Sequence, residues 1–144
     1  MTDRDAALAA NQAFYDAFNQ MDMDAMADIW SQRSEDTCIH PGWELLRGWP
    51  AIRNAWRVIF ANTDYNRIGL TDLTIEVIGA VARVQCVENL YTVVGDQTIH
   101  SQVAATNILV RTTIGWKITL HHGSPIASET VEMEISTVSD LDIN

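Results

Sequence analysis

Hydrophobic positions along the chain follow two periods. Up to Phe60 they recur at helical spacing. Leu8, Phe14, Tyr15 and Phe18 share one face, with Asp16 and Asn19 off it. Thr2, followed by acidic Asp5, marks the start of that helix. Asp22 can cap a second, shorter helix with Met23, Met26, Ile29 and Trp30 on its apolar side. "SQRSED" reads as a turn. Thr37-Cys38-Ile39-His40 is a short β-prone run that Pro41-Gly42 ends. A third helix follows, with Pro50 in its first turn and Ile52, Trp56, Ile59 and Phe60 as its stripe.

From Leu70 the period drops to two. "LTIEVIG", "VARVQCVENLYTVV", "TIHSQVAATNILVRT" and "GWKITLHHGS" alternate and are rich in β-branched residues. Gly79-Ala80, Gly95-Asp96 and Ile114-Gly115 separate them as turns. Long strands joined by short links predict a strongly curved antiparallel sheet. Helices first and a meander afterwards predict an α+β fold, the helices covering one sheet face. The expected domain spans residues 1–128. Residues 129–144 form an acidic tail or edge strand.

Composition narrows the function. The chain has 144 residues, 47% hydrophobic and 19% charged, enough for one domain with a sizeable core. A formal net charge of −10 disfavours nucleic acid and anionic membrane surfaces. No segment is apolar enough to span a bilayer. The opening "MTDRDAALAANQ" lacks the apolar core of a signal peptide, so a cytoplasmic location is expected. Cys38 and Cys86 match no metal spacing and are expected as free thiols.

Strand alternation sorts the candidate chemistry. In the last strand Trp116, Ile118, Leu120, His122 and Ser124 share the more apolar face, so His122 is expected inside and His121 outside. In "VARVQCVENLY" the same rule places Ala82, Val84, Cys86 and Glu88 inside. A carboxylate there must be paired, hydrogen-bonded or protonated. Asn107 is expected inside on the third long strand. A bulge would reverse these assignments downstream of it. His121 and His122 point to opposite faces of a regular strand and cannot share one ion. A metal would need His40, Glu88 and His122 to converge, and no local motif supports one. Ser124 lacks a nucleophile elbow. Trp43 follows the Pro-Gly turn with no helix face to bury against. It either caps the mouth of a cavity or packs on a partner subunit.

The segments "FYDAFNQMDMDAMADIW", "CIHPGWELLRGWPAIRNAW", "AATNILVRT" and "GWKITLHHGSP" together resemble the SnoaL-like branch of the nuclear transport factor 2-like superfamily, over roughly residues 5 to 127. The resemblance implies a cone-shaped α+β barrel with three helices against a bent sheet, an internal cavity, and a homodimer through the convex sheet face. It is weak for function, because the superfamily holds both enzymes and assembly domains. In its ketosteroid isomerase relatives a proton-shuttling aspartate precedes a proline, and His40 before Pro41 takes that place. Their oxyanion-holding tyrosine corresponds to Phe14, with Tyr15 one position round the helix, which argues against ketosteroid isomerisation.

The expected site is therefore His40, His122 and Glu88 for proton transfer, with Trp43, Asn107, Phe14, Trp56 and Tyr15 around a small apolar organic ligand. An isomerase, lyase or hydrolase acting without metal or cofactor would follow. The alternative is a non-catalytic dimeric binding or assembly domain, using the outward Val87, Tyr91, Thr106 and Ile108.

Overall fold

A computed structural model describes residues 1–127; the expected tail at 129–144 lies outside the described residues. Three helices form where the helical period runs: α1 (Asp3–Gln20), α2 (Met23–Ile29) and α3 (Trp49–Ala61). Thr2 caps α1 by accepting from Asp5 N, and Asp22 caps α2 by accepting from Ala25 N. Met21, in the left-handed region at φ 52°, ends α1. The buried residues of α1 are Ala7, Asn11, Phe14, Tyr15 and Ala17, with Leu8 only half-buried. The helix is thus rotated from the expected stripe, and it carries a polar Asn11 inward.

Six strands build one sheet: β1 (Thr37–Ile39), β2 (Leu46–Arg47), β3 (Tyr65–Ile78), β4 (Val81–Val94), β5 (Gln97–Thr112) and β6 (Gly115–Pro125), in the order β2-β1-β6-β5-β4-β3. β3 starts earlier than the Leu70 expected, because Asn66 and Ile68 already turn inward. The sheet is mixed, since β1 runs parallel to β6 and the remaining pairs are antiparallel. It does not close into a barrel; β2 and β3 are its edges. Two irregularities bend it, one between Thr71 and Thr74 and one in β6 opposite Ile108/Leu109.

The core lies between the inner sheet face and the helices. Phe14, Met26, Ile52 and Trp56 from the helices and Trp30 just after α2 meet Ala82, Val84, Leu109, Trp116 and Ile118 from the strands. Each large apolar side chain buried in this way contributes about 1.5–3 kcal/mol. Cys38 and Cys86 are buried free thiols. No helix among the described residues is long and apolar enough to cross a membrane.

Candidate active site

The β6 irregularity decides which histidine enters the core. Leu109 pairs with Ile118, but Ile108 pairs with Leu120, so Thr119 is an extra residue in the ladder. One inserted residue reverses the facing of every side chain beyond it. Trp116 and Ile118 face inward as expected. After the bulge His121 faces inward, 1% exposed and opposite Asn107, while His122 is exposed. The expected inward placement of His122 and outward placement of His121 is thereby overturned. His122 and Ser124 instead line a groove of about 430 Å³ on the outer sheet face, with Gln85, Val87 and Thr106.

His121 is held by a buried polar chain. Asn107 Nδ2 donates to Asn11 Oδ1 at 2.9 Å and to Tyr15 Oη at 3.1 Å. Tyr15 Oη donates to Glu88 Oε2 at 2.6 Å. With its amide NH2 so engaged, Asn107 presents Oδ1 to His121 Nδ1 at 2.6 Å. An amide oxygen only accepts, so the His121 proton sits on Nδ1 and its Nε2 carries the lone pair. All five residues are at most 2% exposed.

His40 approaches from the end of β1. Trp43 N donates to His40 O at 2.8 Å across a turn in which Gly42 takes φ 81°. Gly123 lets that turn sit on β6: a Cβ there would lie 2.9 Å from Val103 Cγ1 and 3.2 Å from Pro41. The His40 ring lies 6.0 Å from His121 and 4.7 Å from Trp56, centroid to centroid. Its Nε2 is 3.4 Å from Cys38 Sγ. Phe14 packs 4.9 Å from His121 and 5.6 Å from Trp56. Trp43, 42% exposed, sets its edge against His40 at 5.1 Å, so it stands at the rim of the cluster. Trp56 Nε1 is buried without a hydrogen-bond partner among the described residues.

Burial sets the charge state. It lowers His40 to about 4. It lowers His121 to about 3, with His40 and His122 nearby adding to the effect. Both rings are therefore neutral at neutral pH. Burial raises Glu88 to about 7, against the opposing pull of the Tyr15 hydrogen bond. Burial, then Glu88 and Cys86, holds the Tyr15 phenol well above its ordinary value. The result is two imidazoles that stay neutral and a carboxyl that titrates near pH 7, the range in which a group both gives and takes a proton readily.

The structure thus brings together His40, Glu88, Asn107, Phe14, Tyr15 and Trp56. Sequence reasoning missed His121 and Asn11. Asn11 stands one turn from Tyr15 on α1, a spacing that could have flagged it. Glu88 and His40 lack His122 as a third ligand, and no metal-holding cluster of His, Cys, Asp and Glu occurs among the described residues.

The model of the SnoaL-like domain matches residues 7–128. The chain belongs to that family. No curated protein is detectably similar to this SnoaL-like chain. Among solved structures, a candidate dehydratase of the NTF2-like family from Streptomyces avermitilis is 31% identical, with TM-score 0.81 over 88% of this chain and 97% of that one. A candidate calcium/calmodulin-dependent protein kinase type II association domain from Thiobacillus denitrificans is 30% identical, with TM-score 0.70 over 83% and 94%. A candidate aromatic ring hydroxylase from Novosphingobium aromaticivorans, 21% identical with TM-score 0.78 over 88% and 90%, shares the fold.

Proposed function

We propose that this SnoaL-like protein binds a small, largely apolar organic compound in its interior and moves protons on it without a cofactor, as a lyase or isomerase. The observation that carries the reading is the buried chain Glu88–Tyr15–Asn107–His121 beside His40. Neutral His121 or His40 would take a proton from carbon next to a carbonyl. The Glu88 carboxyl would give its proton to a leaving hydroxyl, which departs as water and leaves a conjugated alkene. Without a leaving group, return of the proton to a second carbon is an isomerisation. The unpartnered Trp56 N–H would supply a donor to oxygen on the substrate. The likeness to the Streptomyces avermitilis protein supports the lyase form. His121 takes the part that strand alternation assigned to His122.

The test is a panel of β-hydroxycarbonyl compounds followed by ultraviolet absorbance of the conjugated product. His40→Gln and His121→Gln should each lose most turnover, while His122→Gln keeps it. Full turnover in the first two variants would overturn the proposal.

A second reading is a dimeric assembly domain, favoured by the likeness to the Thiobacillus denitrificans protein and by exposed Tyr91 and Ile99 on β4 and β5. A dimeric mass by light scattering, with no turnover across the panel, would favour it.

A further inference from the structure

The apolar pattern of β6 asks for Leu120 inside, yet the structure leaves Leu120 half-buried and buries His121. A regular strand without the extra residue would reverse this, turning Leu120 and His122 inward. Burying an imidazole in place of a leucine is costly, so something must favour the bulged register. The hydrogen bond to Asn107 is one part. A second group sits at the bulge itself.

Asp36 lies in the link between α2 and β1 and is fully buried. Its Oδ1 accepts from the Thr119 hydroxyl at 2.9 Å and from the Ser31 hydroxyl. Its Oδ2 accepts from Arg33 N at 3.3 Å. Arg33 Nη2 donates in turn to Thr119 Oγ1 at 2.9 Å, and Arg33 Nε lies 3.9 Å from Asp36 Oδ1. Thr119 is the extra residue of the ladder, so its hydroxyl is both donor and acceptor in this cluster. The backbone fixes the cluster from both sides: Ser31 N donates to Ile118 O at 2.9 Å, and Gly48 N donates to Asp36 O at 2.8 Å. β1 then pairs in parallel with the strand beyond the bulge, Thr37 with Leu120 and Cys38 with His121. In the regular register Thr119 would lie one position out of step with β1, and a fully buried carboxylate would lose a hydrogen-bond donor. Such a loss is among the most costly a core can suffer.

We propose that Asp36, acting through Thr119, is the positioning group that selects His121 over His122 for the interior. The proposal deepens the reading of the interior site but does not need that site to be catalytic, because its test reads which histidine is buried. Asp36 touches neither histidine; it holds the inserted residue that sets their facing.

The experiment is diethyl pyrocarbonate labelling of the full chain, with each histidine mapped by mass spectrometry. Exposed His100 is the labelled control and buried His40 the protected one. In the unaltered chain His122 should label and His121 should not. In Thr119→Val, which keeps the shape and removes the hydroxyl, and in Asp36→Asn, label should move from His122 to His121. Thr119→Ser, which restores the hydroxyl, should return the original pattern. General loosening would expose His40 and His121 together without protecting His122, and that outcome would overturn the proposal. An unchanged pattern in Thr119→Val would overturn it equally. Should Asp36→Asn fail to fold, Thr119→Val and Thr119→Ser decide the matter between them. Failed turnover with the label inverted as expected would sink only the catalytic reading.

Discussion

The inner face of the sheet has two halves, divided at the β6 bulge. Before the bulge Trp116 and Ile118 lie with Leu109 and Ala82, all apolar and all buried. Beyond it the polar His121, Asn107 and Glu88 turn inward among Val84, Cys86, Val103 and Ala105, all buried. The first half is stabilised by area removed from water and tolerates no hole. The second depends, in addition, on each buried polar atom keeping its partner. One fold therefore holds a core that is insensitive to pH beside one that is sensitive to it.

The contrast is broken most strongly from the apolar side. Ile118 is fully buried in the core, and its backbone bridges Trp30 just after α2. Ile118→Ala should cost about 2–5 kcal/mol, read as a lower urea midpoint with the slope unchanged. The loss should be the same at pH 5 and pH 8, since no titrating group is involved.

The polar half should answer to pH instead. Glu88, at about 7 in the fold against 4.5 when unfolded, keeps its proton in the native state where the unfolded chain has lost it. Its contribution is full below 4.5 and disappears as pH rises through 7. His40 and His121 shift the other way, from 6.5 to about 4 and about 3. The unfolded chain takes up their protons first, so stability falls as pH drops below 6.5. Between 4.5 and 6.5 two histidines outweigh one carboxyl, and the opposing terms cancel near pH 7, where the maximum lies. Glu88→Gln imitates the protonated carboxyl. Melting curves across pH should show it gaining on the unaltered chain above pH 7, by on the order of 3 kcal/mol. A constant difference at every pH would contradict the assigned shift.

What the sequence disclosed follows the same division. Helix caps at Thr2 and Asp22, the turns, and the inward set Ala82, Val84, Cys86 and Glu88 all follow from period and local chemistry, and the structure agrees. The family resemblance was legible for the same reason, because it rests on these patterned segments. His121 was not legible, because hydrophobic alternation assumes an unbroken ladder. The bulge depends on Asp36, which is remote from Thr119 in sequence and sits in "SQRSED", a stretch that reads as an ordinary polar turn. Asn11 was missed because a polar residue on an apolar stripe looks like an interruption until Asn107 is seen opposite it. Parallel pairing of β1 with β6 is likewise a long-range contact that no local pattern announces.

A smaller effect separates the members of the polar half from one another. Tyr15 donates to Glu88 and accepts from Asn107, so Tyr15→Phe removes one hydroxyl and leaves the ring packing intact. Asn107 keeps Asn11 as an acceptor, and the cost at pH 5, where Glu88 holds its proton, should be about 1 kcal/mol. At pH 8 the cost should be larger, because the carboxylate then lacks its donor. The Tyr15 hydrogen bond favours the charged form of Glu88, so its removal must raise the carboxyl above about 7. Carbon NMR of the Glu88 carboxyl should show the titration midpoint moving upward in the variant. A downward move would mean that the hydroxyl serves the protonated carboxyl instead, and the proton donor proposed for the leaving group would then have to be sought elsewhere in the cluster.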